Sequence, residues 1–216
     1  MSIAKDPHAG QPVLAAGPAP RDARLALILV HGRGASAEDI LGLAAELRLP
    51  DVACLAPQAA GHTWYPYSFL SPIEQNEPGI SSGLGLIGRL IDDLGGEGLP
   101  PDRIGLLGFS QGACLSLEFA ARNARRYAGV FALSGGLIGP PGTPRTHAGA
   151  FDGTPVFLGC SDVDAHIPLE RVHESAEVCR RMGAAVDERI YPRMGHTVNS
   201  HELDAVRALL SARLCL

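Results

Sequence analysis

The stretch Arg103-Ile104-Gly105-Leu106-Leu107-Gly108-Phe109-Ser110-Gln111-Gly112-Ala113-Cys114-Leu115 changes its structural period around one serine. Residues 103–109 form a continuous aliphatic run, the pattern of a strand buried on both faces. From Gln111 to Asn123 the chain carries small and apolar residues that predict a helix. Between them, Gly108-Phe109-Ser110-Gln111-Gly112 fits G-x-S-x-G, a strained strand-to-helix turn that lifts a serine hydroxyl above the sheet while its glycines let neighbouring backbones pack close. With 26 glycines in the chain an accidental match is unremarkable, and a second copy does occur at Gly79-Ile80-Ser81-Ser82-Gly83. That copy follows Asn76-Glu77-Pro78, which cannot be a buried strand, so Ser81 is read as a serine at a helix start. Ser110 is the candidate nucleophile.

Outward from this turn the same alternation recurs. Leu25–Val30, Val52–Leu55, Tyr127–Leu133, Pro155–Gly159 and Val186–Tyr191 read as strands. Ser36–Arg48, Gly79–Leu94, Leu169–Met182 and Glu202–Leu214 read as helices, with Ser36 and Asp39 spaced as a capping pair. Strand and helix alternating this often predict an α/β protein with a mainly parallel sheet covered on both faces. In such sheets ligands bind beyond the carboxyl ends of the strands. The 216 residues suit one domain spanning 1–216, with 1–24 irregular or forming short strands. Gly135–Gly153, rich in Gly and Pro, reads as a surface excursion.

Composition narrows the function. Eighteen basic against 23 acidic residues give a formal charge of −5, leaving no surplus to neutralise a phosphate backbone, so nucleic acid is not expected as a partner. The longest strongly apolar stretch, Leu25–Val30, is too short to cross a bilayer. Five scattered cysteines without a C-x-x-C pair read as free thiols in a reducing compartment, and the Pro- and Gly-broken N-terminus lacks a signal peptide's apolar run. The expectation is a cytoplasmic protein without integral membrane association.

A serine nucleophile needs a base and an orienting acid. Of eight histidines, His196 alone follows Ser110 on a turn directly after a strand, in Met194-Gly195-His196. His8 belongs to the irregular N-terminus, His31 and His62 precede the serine, and His147, His173 and His201 fall in a loop or on helices. Gly159-Cys160-Ser161-Asp162-Val163-Asp164 leaves another strand and offers two carboxylates, between which spacing does not choose.

Taken together, His31-Gly32-Arg33-Gly34, Gly108-Phe109-Ser110-Gln111-Gly112, Asp164-Ala165-His166-Ile167-Pro168 and Gly195-His196 resemble the phospholipase/carboxylesterase family, which includes acyl-protein thioesterases and small bacterial esterases. The resemblance runs from about Leu25 to the last helix and implies the α/β-hydrolase fold. It selects Asp164, three residues before an Ile-Pro pair, as the catalytic acid, and it carries the oxyanion hole to the backbone N–H groups of Arg33 and Gln111. It further implies a monomer or homodimer with no cofactor and no metal. For the Arg33 side chain the two readings are a solvated charge and an attractor of anionic substrate.

Thr63-Trp64-Tyr65-Pro66-Tyr67-Ser68-Phe69 concentrates four of the eleven aromatics and resembles the HGRG-type bacterial branch. Interrupted by prolines, the cluster reads equally as core or as a substrate-pocket wall, with Trp64, Tyr65 and Phe69 as candidate contacts. Four aromatics beside the nucleophile favour a small-molecule ester with a short acyl or aryl group. Alternatives are a thioester or lysophospholipid hydrolase, a lactone or dienelactone hydrolase, a perhydrolase, and a receptor on the same scaffold without turnover.

Overall fold

The computed structural model describes residues 6–215. Its strands are β1 (Val13–Ala16), β2 (Leu25–Val30), β3 (Val52–Pro57), β4 (Ile104–Phe109), β5 (Gly129–Leu133), β6 (Pro155–Ser161) and β7 (Ala185–Tyr191). The helices are α1 (Ala37–Ala45), α2 (Gly79–Gly96), α3 (Gln111–Arg122), α4 (Leu169–Arg181) and α5 (Ser200–Leu214). Seven strands make one sheet in the order β1-β3-β2-β4-β5-β6-β7, with β1 antiparallel to β3 and every other pairing parallel.

Side chains alternate across the sheet because successive residues of a strand face opposite sides. On β2, Ala26, Ile28 and Val30 enter the core beneath α2, α3 and α4, while Leu25, Leu27 and Leu29 enter the core beneath α1 and α5. Burial on both faces explains why β2 and β4 are continuous aliphatic runs. Chain order reverses between β2 and β4: β3 lies on one side of β2, and β4 with its successors on the other. A reversal of this kind opens a crevice at the carboxyl ends of the two strands. The loops after β2 and β4, His31–Ala35 and the Ser110 turn, both emerge there.

Ser36 caps α1 as its sequence spacing predicts: its hydroxyl accepts from the Asp39 N–H, and the Asp39 carboxylate accepts from the Ser36 N–H at 2.8 Å. Ser81 lies in the first turn of α2, donating to Glu77 at 2.8 Å. The expectation for Gly135–Gly153 is corrected in part, since Gly135 to Gly139 are buried. Their polar backbone groups are satisfied from the helices: Leu137 N–H donates to Ser175 at 2.9 Å, Ile138 N–H donates to Glu118 at 3.0 Å, and Arg171 donates to the Leu137 and Gly139 carbonyls. A loop can be buried when its amides are paired this way.

Candidate active site

Ser110 joins β4 to α3 with φ +55° and ψ −119°, a conformation that costs a residue with a side chain about 1–3 kcal/mol. Its surroundings hold it there. A Cβ on Gly112 would overlap the Val30 carbonyl, and one on Gly108 would overlap the Gly112 backbone, so both flanking positions need glycine for space alone. The Ser110 N–H donates to the Leu133 carbonyl at 2.9 Å.

His196 arrives on the turn after β7, with Gly195 at φ +78°, and its Nε2 lies 2.8 Å from Ser110 Oγ. On the other side of the ring Nδ1 lies 2.7 Å from Asp164 Oδ2. The second Asp164 oxygen accepts the N–H groups of His166 at 2.8 Å and Ile167 at 3.0 Å. Burial pushes this carboxyl up, but the hydrogen bonds from His196, His166 and Ile167 outweigh it and hold the group below its ordinary value. An ionised Asp164 fixes the proton on Nδ1, leaving Nε2 free to accept from the serine hydroxyl. Asp162 is used differently: it accepts from the Arg193 N–H at 2.7 Å and braces the turn before His196. Ser161 fastens the two loops together, its hydroxyl accepting from Val163 and Gly195 at 3.1 Å each. The ring of Phe109 lies against His196 with centroids 5.0 Å apart.

A cavity of about 520 Å³ opens beside the serine, walled by Arg33, Tyr65, Phe69, Cys114, His166 and Ile167. Arg33 and Gln111 both border it, and among the described residues the N–H of neither finds a protein acceptor. Both side chains turn instead to the aromatic segment. Gln111 accepts from the Trp64 N–H and donates to the Tyr65 carbonyl, each at 2.8 Å. Arg33 donates to Thr63 Oγ1 at 3.1 Å, the Pro66 carbonyl at 2.8 Å and the Tyr67 carbonyl at 2.7 Å. The guanidinium is therefore no idle surface charge, since three of its five N–H groups are engaged on this loop. Its chief work is to hold this loop.

The aromatic residues divide between the two sequence readings. Tyr65 and Phe69 wall the cavity, but Trp64 does not: it is fully buried between His8 and His31, and its indole N–H donates to the His31 carbonyl at 2.9 Å. Trp64 as a substrate contact is thus corrected to a core residue, because the indole finds its acceptor inside the fold. His8, expected in an irregular terminus, is 2% exposed and bonds the Trp64 carbonyl and the Ala60 N–H. Asn76 completes the clamp by accepting from the Tyr67 N–H and donating to the Ser68 carbonyl, both at 2.8 Å. Nothing in the sequence around Glu74-Gln75-Asn76 marks it, since its role depends on a loop bending back.

All five cysteines are free. Cys114, on the cavity wall, and Cys160, beneath Asp164, are pushed up to about 12 chiefly by burial, which leaves them thiols without nucleophilic character at neutral pH. Among the described residues no cluster of three or more metal-ligating side chains is present, and no helix is long and apolar enough to cross a membrane.

A serine turn between β4 and α3, set at the reversal point of a mainly parallel sheet, places the protein in the α/β-hydrolase class. Within that class, residues 15–214 match the phospholipase/carboxylesterase family, and the chain belongs to it. A phospholipase/carboxylesterase structure from Dyadobacter fermentans superposes with a TM-score of 0.90 at 40% identity, covering 94% of this chain and 97% of that one. The carboxylesterase of Bacillus cereus shares the fold with a TM-score of 0.73 at 16% identity, over 95% of each chain. Acyl-protein thioesterase 1 of Gibberella zeae is 35% identical over 124 residues, 55% of this chain and 51% of that protein. The thioesterase 1 of Neurospora crassa is 31% identical over 65% of this chain and 58% of its own length. The matched stretch thus spans only a little over half of these thioesterases.

Proposed function

We propose that the protein is a serine hydrolase of carboxylic esters, acting through Ser110, His196 and Asp164. Ser110 attacks the ester carbonyl while His196 takes the hydroxyl proton and passes it to the departing alkoxide. Water, activated by the same imidazole, then releases the acid from the acyl-enzyme. Asp164 keeps the imidazole in the productive tautomer, and the unclaimed N–H groups of Arg33 and Gln111 receive the oxyanion. The observation that carries this reading is the unbroken chain of contacts from Ser110 Oγ through His196 to Asp164, 2.8 Å and 2.7 Å long, at the edge of the cavity.

The acyl group occupies the cavity walled by Tyr65 and Phe69. Pinned along 63–68 by Arg33, Gln111 and Asn76, this wall favours a short acyl or aryl group. The test is a p-nitrophenyl ester series from acetate to palmitate: kcat/KM falls beyond the short members, and equal rates for palmitate and acetate contradict the reading. A thioester is the second reading, favoured by the thioesterase relatives. Matched oxo- and thioesters of one acyl group separate the two. The five free thiols fit a reducing, cytoplasmic setting, and we expect a monomer or homodimer.

A further inference from the structure

A second cavity, of about 360 Å³, is bordered by the chain neighbours of Ser110 and His196, Phe109 and Thr197, though by neither of the pair itself, and takes no part in the scheme above. It is lined by Gly32, Ile40, Leu43, Phe109, Thr197 and Val198, drawn from the loop after β2, from α1, and from the residues adjoining Ser110 and His196. Its connection to the chemistry is direct. A Cβ on Gly32 would stand 3.4 Å from Ser110 Cβ and 3.2 Å from the Phe109 ring, and that ring lies against His196.

We propose that this groove is the leaving-group subsite and that it selects esters of neutral, apolar alcohols or phenols. This deepens the reading of Ser110 as nucleophile and rests on it. When the Ser110 Oγ–carbon bond forms and the carbon–alkoxide bond breaks, the serine proton travels by way of His196 to the departing oxygen. The acyl group and the alcohol leave the carbonyl carbon in different directions, so each needs its own space, and the second cavity borders the serine through Gly32 and Phe109. The acyl group stays attached through the intermediate and suits the first cavity, whose Tyr65, Gln111 and Cys114 are buried. The alcohol has to depart after one step. The second cavity suits it, with Leu43, Phe109 and Val198 only half-buried and Thr197 exposed.

Charge names the class of alcohol. No Lys or Arg lines the groove. Of the Asp39 carboxylate at its edge, Oδ2 accepts from the Ser36 N–H and hydroxyl at 2.8 Å each. Burial lowers the affinity of His31 for a proton, and its Nε2 accepts the Ala59 N–H at 3.1 Å. A polyanionic leaving group such as coenzyme A would find no cation here and one carboxylate, whereas a naphthyl or benzyl ring finds aliphatic walls.

The experiment varies one half of the ester at a time in the full-length protein. With acetyl fixed, the ratio of kcat/KM for 2-naphthyl acetate over ethyl acetate is measured in the wild type and in Leu43→Trp and Ala35→Trp, which fill the groove from two elements. With p-nitrophenol fixed, the ratio for butyrate over acetate is measured in the same proteins. The expected result is a fall of about tenfold in the alcohol ratio, as one aromatic ring's worth of contact is lost, with the acyl ratio held within twofold. Movement of the acyl ratio alone, or of neither ratio, overturns the proposal. In the wild type, acetyl-coenzyme A is expected to react at least a hundredfold less efficiently than S-phenyl thioacetate, and parity between them overturns the proposal. Failure of the underlying reading is distinguishable, because then no ester in either series depends on Ser110.

Discussion

Replacing Glu202 with glutamine tests how the fold tolerates a carboxyl beneath the His196 loop. Glu202 is fully buried in the first turn of α5, where one oxygen accepts the Asn199 N–H at 2.9 Å and the other has no partner. It fits there because Gly159 of β6 has no side chain, and a Cβ at that position would overlap the unpartnered oxygen. Burial pushes the carboxyl from 4.5 up to about 7, against the opposing pull of the Asn199 N–H. Between those two pH values the folded protein keeps a proton that the unfolded chain has released. The stability tied to this group is therefore fully present below pH 4.5, declines as pH rises, and is lost above about 7. The amount is roughly 3 kcal/mol from the conversion of pKa shift to free energy, a ceiling because the α5 N-terminus favours the ionised form.

Glutamine has the same shape and stays neutral throughout. Glu202→Gln is accordingly expected to be about 1 kcal/mol less stable than the wild type near pH 4.5, where its amide leaves a donor unpaired, and, as the wild type loses up to roughly 3 kcal/mol with rising pH, more stable by up to roughly 2 kcal/mol near pH 8. Urea unfolding at several pH values measures this, with m checked for constancy. The contributions of Asp164, His8 and His31 are common to both proteins and cancel in the difference. Parallel stability–pH curves for the two would refute the assignment of a proton to Glu202.

Further outcomes follow from the site. Asp164→Asn is expected to lower kcat by about 10³–10⁴ by allowing the wrong imidazole tautomer, whereas Asp162→Asn, which keeps an acceptor for the Arg193 N–H, stays within about tenfold; the reverse ranking in steady-state kinetics moves the acid. Arg33→Met keeps its backbone N–H but frees the 63–67 loop from three hydrogen bonds. It is expected to raise the octanoate-to-acetate kcat/KM ratio by about five- to thirtyfold, on about 1–2 kcal/mol of lost restraint at an exposed site. An unchanged ratio would mean that the loop holds without the guanidinium. Gly112→Ala forces a methyl into the Val30 carbonyl and is expected to cost more than about 3 kcal/mol or to abolish folding, measured by thermal unfolding.

The sheet and the serine turn are legible in the sequence because both are written locally: aliphatic runs of strand length, helical spacing, and glycines at the two positions where backbones nearly touch. The acid is less so. Asp162 and Asp164 leave the same strand two residues apart, so spacing does not choose between them; the family resemblance selects Asp164, and physically it is the arrival of the Arg193 N–H at one and the His196 ring at the other that distinguishes them. The 63–69 segment has no period to read. Which aromatic turns inward is decided by partners far along the chain, His31 for Trp64 and Gln111 and Arg33 for its neighbours. The same holds for Gly135–Gly139, where composition signals surface but Glu118, Arg171 and Ser175 supply the hydrogen bonds that let the backbone be buried. Sequence grammar thus reads what neighbours decide, and misses what distant side chains decide.

Reaction with a fluorophosphonate ester, followed by intact mass and peptide mapping, asks whether an activated serine exists at all. One adduct per chain on the peptide containing Ser110, absent in Ser110→Ala and strongly slowed in a His196 variant that remains folded, is the expected result. Labelling elsewhere, or none under conditions that modify other serine hydrolases, would contradict the mechanism.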